Sequence, residues 1–485
     1  MRVLQVSSEM VPWVKTGGLA DVAGALPAAL ARCGVELRAL LPGYPVILQA
    51  LRSTERIGRA RLPWGDEVDV LGAEAHGSSA RLYLIDAAWL YARAGSPYED
   101  AQGHAFADNH RRFAALGWVA RELACGLDPT WQPQVVHAHD WHAGLAPAYL
   151  AWSTAPHVRR PSVFTIHNLA YQGLFRAVHQ AELGIPAHAW HLEGLEFHGQ
   201  ISYMKAGIVH ADRLSTVSAG YAREIQTPEQ GFGLDGLLRH HGHKLSGIRN
   251  GIDSGIWNPA HDDHLPSRYN PGQLTARATN HKALGLELGL AAHHEAPRCA
   301  IISRLHPHKG LGLVLEAAAP MLHQGAQLAI LGRGEASIEQ AFLELEQRHP
   351  DQVRVRLCFD EALAHRLLAG CDMLLMPSQF EPCGLTQMYA MRYGCLPLVH
   401  SVGGLADTVH PWDPHNPAAT GCSGFAFATF HIGAFLEAWA QALACWAQPV
   451  QWAALQRTGM SLAFDWDEPA RQYTRIYQQL GHAHG

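Results

Sequence analysis

The chain has 485 residues, 48% hydrophobic and 16% charged, which excludes a disordered chain and leaves room for two or three folded domains. Its 37 Lys and Arg against 43 Asp and Glu give a formal net charge of −6, which argues against nucleic acid or an anionic membrane as a general partner. Nine cysteines, scattered without a Cys-x-x-Cys pair, predict reduced thiols and a cytoplasmic location.

In chain order, residues 1–9 lack the apolar stretch of a secretion signal because Glu9 arrives too early, and no later run of 18 apolar residues predicts a membrane span. Residues 2–6 read as a β-strand, followed by a glycine-rich turn and an apolar helix over 19–33. Residues 133–139 and 161–167 repeat the strand pattern. A domain boundary is expected near 246–258, where Gly247-Ile248-Arg249-Asn250-Gly251-Ile252-Asp253 is rich in turn residues. Residues 261–280, with Pro266 and Pro271, read as a polar surface loop. Strands are then expected at 298–303, 327–332, 353–357, 373–377 and 396–400, each trailed by a loop and a helix. Such alternation predicts α/β domains with mostly parallel sheets, whose ligands bind at the carboxyl ends of the strands.

Four segments lie at those ends. In Lys15-Thr16-Gly17-Gly18-Leu19 the glycines let a ligand approach the backbone, the helix start offers N–H groups to an anion, and Lys15 adds a charge. The segment suits a phosphate, but it is also the shape of an ordinary tight turn, and its spacing fits neither a Walker loop nor the dinucleotide fingerprint. It recurs as Gly403-Gly404-Leu405-Ala406-Asp407, either by convergence on a good helix start or because two Rossmann-like domains each present a glycine turn. In His137-Ala138-His139-Asp140-Trp141-His142 the imidazoles invite a metal reading; without a second ligand-dense motif no metal is expected, and Asp140 is the candidate, with His167 at a similar strand end. Ser303-Arg304-Leu305-His306-Pro307-His308-Lys309-Gly310 places two cations beside a helix start, an arrangement that would hold a diphosphate. Phe380-Glu381-Pro382-Cys383-Gly384-Leu385-Thr386-Gln387 puts a carboxylate where it could grip sugar hydroxyls, with amides of Gly384, Leu385 and Thr386 free to face phosphate.

Together these motifs resemble the bacterial glycogen synthases, family-5 retaining glycosyltransferases related to starch synthases, and the resemblance runs from residue 1 to about 480. It implies a GT-B architecture: two Rossmann-like domains with parallel sheets facing a deep inter-domain cleft. The first would span residues 1–247, with 461–485 crossing back onto it as a C-terminal helix, and the second 248–460. The resemblance implies ADP-glucose as donor, glycogen or another α-1,4-glucan as acceptor, retention of configuration, and neither cofactor nor metal. Arg304 and Lys309 would bind the diphosphate and Glu381 would lie at the donor glucose. Asp140, His167 and Asn250 would line the sugar site, Lys15 and Gly18 the phosphates, and Tyr98 and Cys383 the donor surroundings. One departure matters: Gln379 stands where many relatives carry Arg or Lys; Tyr389, not a second glutamate, follows Glu381 by eight residues, which matches glycogen synthases and disfavours the larger E-x7-E class of glycosyltransferases. The competing readings are a glucan-binding protein on a degenerate transferase scaffold, a phosphorylase, for which no pyridoxal lysine is evident, and a metal-dependent hydrolase built on His137, His139 and His142.

Overall fold

The computed structural model describes residues 1–74, 80–153, 160–292, 296–416 and 419–483, and the chain forms two units, Met1–Gly251 with Trp466–Gly485 and Ile252–Asp465. In chain order the strands of the first unit are β1 (Arg2–Val6), β2 (Glu36–Pro42), β3 (Glu55–Arg61), β4 (Glu67–Ala73), β5 (Arg81–Asp86), β6 (Val135–His139), β7 (Ser162–Ile166), β8 (Leu174–Arg176), β9 (Glu196–Phe197), β10 (Gln200–Ser202), β11 (Arg213–Thr216) and β12 (Leu245–Gly247). Nine of them form one sheet in the order β12-β11-β7-β6-β1-β2-β5-β4-β3, and β8–β10 form a separate antiparallel sheet. The central strands β1, β6 and β7 are buried on both faces, as parallel strands between helical layers must be, so apolar residues dominate them and their few polar side chains, such as Gln5, His137 and Thr165, are buried too. The edge strand β3 pairs antiparallel with β4, and their charged residues are largely exposed.

Chain order reverses between β1 and β6, which pair in parallel with Val6 opposite Ala138. The segments leaving these strands therefore emerge side by side, and β7 adds a third, with His139 opposite Thr165. The helix Asp467–Ala483 belongs to this unit. Asp467 pairs with Arg32 at 2.6 Å, and the Tyr477 hydroxyl reaches Nδ1 of His137, inside the sheet, at 2.7 Å.

The second unit has β13 (Arg298–Ile302), β14 (Gln327–Leu331), β15 (Val353–Arg356), β16 (Met373–Met376), β17 (Leu396–His400) and β18 (Phe425–Phe427). Their order, β15-β14-β13-β16-β17-β18, is entirely parallel and is the doubly wound 3-2-1-4-5-6 arrangement, whose ligand crevice lies where the order reverses, between β13 and β16. Ile301, Ile330, Leu375, Leu398, Val314 and Trp439 sit in its apolar core.

All eight strands expected from the sequence are present with ends within two residues. The surface loop expected over 261–280 is largely exposed, but it is anchored by buried residues and ends in a helix. Asp262 is buried and accepts hydrogen bonds from the Tyr393 hydroxyl (2.6 Å) and His365 (2.7 Å); buried Tyr269 donates to the Tyr393 carbonyl; and from Arg277 the chain is helical. Polar residues anchor this segment by hydrogen bonds, which an apolar pattern does not reveal. No helix among the described residues is long and apolar enough to cross a membrane.

Candidate functional site

In the second unit the chain leaves β13 through Ser303 and Arg304 and makes a short turn, Pro307–Lys309, before the helix Leu311–His323. Gly310 closes that turn with φ 68°, and a Cβ there would stand 1.8 Å from the Pro377 carbonyl oxygen. Only glycine allows this contact, which presses the turn onto the segment leaving β16. Lys309 Nζ consequently donates to both oxygens of Glu381, at 2.7 and 3.0 Å, and the Ser378 hydroxyl donates to Oε2 at 2.9 Å. Glu381 is only 7% exposed. Its carbonyl accepts the N–H of Gly404 at 3.0 Å, and a side chain at 404 would strike the Cys383 carbonyl at 2.0 Å. Close packing on the Glu381 loop thus requires glycine at 404 in the second Gly-Gly-Leu-Ala-Asp copy.

Arg304 is exposed, and its side chain has no hydrogen bond or ion pair among the described residues. Both Arg304 and Lys309 nevertheless act on His308. Burial first, then the charges of Lys309, His306 and Arg304, push that imidazole down to about 4, so it is neutral at physiological pH. Cys383 is buried, Gly384 takes φ 67°, and the Gln387 amide beneath donates to the carbonyls of Cys383 (3.0 Å) and Gly384 (2.8 Å). Leu385 stands at the N-cap of the helix Thr386–Arg392 and supplies no capping side chain, so the first-turn N–H groups lack that partner.

In the first unit, Gly17 caps the helix Gly18–Arg32 without a side chain and faces open space, while Lys15 is paired with Asp21 at 2.8 Å. Thr16 links this turn to Glu9, whose carboxylate accepts the Thr16 amide (2.5 Å), the Thr16 hydroxyl (2.7 Å) and the Tyr98 hydroxyl (2.5 Å). Tyr98 also meets Ser8 Oγ at 2.9 Å and stacks on His142 with ring centroids 4.5 Å apart. Asp140 takes a positive φ of 60° to turn its carboxyl onto the Trp141 amide (3.0 Å), and burial raises it to about 8, with the charge of Glu9 adding to the effect. His167 bonds His139 between Nε2 and Nδ1 at 3.0 Å, and burial lowers it to about 3. The Oδ1 of buried Asn250 has no hydrogen-bond partner among the described residues, an unmet acceptor in the segment that follows β12.

The structure therefore brings Lys309 to Glu381, and Tyr98 to a carboxylate that also acts on Asp140. It shows no bond from Arg304 or Asn250 to the other candidates. Glu9 and Ser378 were not singled out by sequence reading. Glu9 and Ser378 each lie within three residues of a strand's carboxyl end, and that position was the available signal. His137, His139 and His142 do not form a metal cage. Both nitrogens of His137 are taken up, by Tyr477 (2.7 Å) and Thr165 (2.6 Å). Elsewhere His110, His179 and Glu182 bring ligand atoms within 4.8 Å of one another. Arg111 already occupies that carboxylate at 2.5 Å, and the two imidazoles stack at 3.8 Å and 26°, so their lone pairs run side by side.

Residues 2–240 match the family described as the starch synthase catalytic domain, and residues 290–457 that described as glycosyl transferases group 1. The chain is 50% identical to a glycogen synthase of Variovorax paradoxus (strain S110), covering 99% of each chain. It is 48% identical to glycogen synthases of Erwinia tasmaniensis and Serratia proteamaculans (strain 568), covering 99% of this chain and 100% of theirs. Among solved structures it matches the catalytic domain of starch synthase IV from Arabidopsis thaliana bound to ADP and acarbose, with a TM-score of 0.89, 31% identity and 99% of each chain covered. A sucrose-phosphate synthase from Thermosynechococcus elongatus, 16% identical with a TM-score of 0.60 and 99% of each chain covered, shares the fold. With half its residues identical over nearly its whole length, this chain belongs to the glycogen synthase family and has the GT-B glycosyltransferase fold.

Proposed function

We propose that the chain transfers glucose from ADP-glucose to the non-reducing end of an α-1,4-glucan such as glycogen, with retention of configuration and without a metal ion. The observation that carries this reading is the near-complete correspondence with glycogen synthases, joined by the likeness to a starch synthase bound to ADP and acarbose.

The local chemistry agrees. When the bond from glucose C1 to the diphosphate breaks, negative charge gathers on the leaving phosphate and the ring becomes cationic. Exposed Arg304 and the ammonium of Lys309 supply fixed positive charge for the first, and the carboxylate of Glu381 lies beside Lys309 to stabilise the second. Both oxygens of Glu381 accept from one ammonium, which makes it an electrostatic partner and a poor covalent nucleophile. Transfer then runs by attack on the face the nucleotide leaves: the acceptor hydroxyl oxygen bonds to C1, its proton passes to a phosphate oxygen, and ADP departs. Lys15, Gly18, Cys383, Gly384, Leu385 and Thr386 serve the donor, and Tyr98, Asp140, His167 and Asn250 the sugar. Nine free cysteines suit a reducing, cytoplasmic setting.

The test is transfer of radiolabelled glucose into glycogen from ADP-glucose and from UDP-glucose, with and without EDTA, alongside ADP release. Efficient transfer from ADP-glucose that EDTA leaves intact is expected. Transfer from UDP-glucose alone would overturn the donor, EDTA-sensitive transfer the metal-free chemistry, and glycogen binding without ADP release the whole proposal.

A further inference from the structure

We propose that Ser378 is a positioning residue for the transfer reaction and that His400 holds it in place. The inference rests on the reading of Glu381 as the carboxylate beside the donor glucose.

Ser378 lies two residues beyond β16 and is 1% exposed. Its hydroxyl donates to Glu381 Oε2 at 2.9 Å, and its carbonyl is 2.7 Å from Nδ1 of His400. A carbonyl can only accept, so His400 carries a proton on Nδ1 whatever its charge. His400 is the last residue of β17. Its ring stacks on Phe427, the last residue of β18, with centroids 5.1 Å apart and planes at 24°, and it sits 5.5 Å from the Phe430 ring. The support thus descends through three adjacent strands, from the aromatic ring on β18 to the imidazole on β17 and to the serine after β16, and ends on one carboxylate oxygen.

Lys309 cannot do this work alone. An ammonium on a flexible stem fixes charge but not the rotation of its partner, and here it touches both oxygens of Glu381 alike. In the proposed reaction Lys309 also serves the diphosphate, so its hold on Glu381 loosens when the donor binds. Ser378 touches one oxygen only and is backed by a rigid sheet, so it keeps the carboxylate in a single rotation through the reaction.

The experiment compares Ser378→Ala, Ser378→Cys, His400→Asn, His400→Leu and Glu381→Gln in the full chain, measuring kcat, KM for ADP-glucose and the melting temperature. Ser378→Ala is expected to lower kcat on the order of tenfold, the scale of one hydrogen bond to an ionised group, with KM within about twofold. A fall in kcat with KM held is the mark of a carboxylate misplaced in the transition state while donor binding is kept. His400→Asn, which can present an amide N–H near the position of Nδ1, should keep most of the activity, while His400→Leu should reproduce the Ser378→Ala profile. A merely structural role would lower the melting temperature and leave kcat of the folded enzyme in place, with no recovery in His400→Asn over His400→Leu. Should Ser378→Ala not fold, Ser378→Cys, a weaker donor of similar volume, carries the same comparison. Unchanged kcat in the serine variants would overturn the inference, and an unchanged His400→Leu would remove His400 from it. Normal turnover in Glu381→Gln would instead overturn the reading of Glu381 itself.

Discussion

Removing Lys309 should do more than slow the chemistry. The Lys309 side chain is 18% exposed and that of Glu381 9%, with contacts of 2.7 and 3.0 Å. Lys309→Met leaves the carboxylate buried with only the Ser378 hydroxyl to satisfy it. Breaking a buried ion pair from one side costs about 3–5 kcal/mol, and the surviving hydrogen bond places this case near 3 kcal/mol. In a domain of 150–250 residues each kcal/mol moves the melting temperature by about 2–4 °C, so a fall of about 6–12 °C is expected in the transition of the second unit. Glu381→Gln should cost less, about 1 kcal/mol, because Lys309 is the more exposed partner and can turn to water. The double variant Lys309→Met, Glu381→Gln removes both charges and should melt above Lys309→Met, a coupling of about 2 kcal/mol. Scanning calorimetry of the four proteins reads this cycle. A melting temperature for Lys309→Met within the error of the unaltered chain, or a double variant no more stable than that single one, would show that the pair does not exist in solution.

Arg304→Ala should behave in the opposite way: the side chain is exposed and unbonded, so melting stays unchanged while kcat falls on the order of 10²–10³, the scale of one preorganised electrostatic donor. Near-normal turnover would remove Arg304 from the leaving-group site. Asp140, raised to about 8 in the folded chain, binds its proton more tightly there than in the unfolded chain, where it titrates near 3.8; its contribution is complete below about 3.8 and is lost as pH rises towards 8. His167, lowered to about 3 from 6.5, has the reverse sign, contributing stability above 6.5 that is lost as pH falls towards 3. Urea melts across pH should therefore show Asp140→Asn flattening the decline between pH 4 and 8 and His167→Asn flattening the decline below 6.5; slopes that neither variant changes would contradict the burial of these groups. Tyr477→Phe strips the buried His137 Nδ1 of its partner and should cost about 1–3 kcal/mol, read as a lower melting temperature of the first unit.

The repeating pattern of apolar strand, loop and helix was legible because a parallel strand buried on both faces has no polar alternation to confuse it, as in residues 2–6 and 396–400. The strand-end rule and the family motifs then pointed to Arg304, Lys309, Glu381, Asp140 and His167 without coordinates. The edge strand β3 and its neighbour β4 were not foreseen. They pair as a local hairpin with Arg61 opposite Glu67, but β3 is charged at four of its seven positions and so shows no apolar run.

What the sequence by itself determined is therefore the class of fold and the family, since both rest on local apolar runs and on motifs that stay contiguous along the chain. Only the tertiary structure decided that Lys309 grips Glu381 across 72 residues, that His400 reaches the serine behind it, and that Glu9 shares a hydrogen bond with Tyr98 across 89. The physical reason is that a hydrogen bond or ion pair is made over about 3 Å of space whatever the separation along the chain, so a partner of this kind leaves no periodic trace in the order of residues.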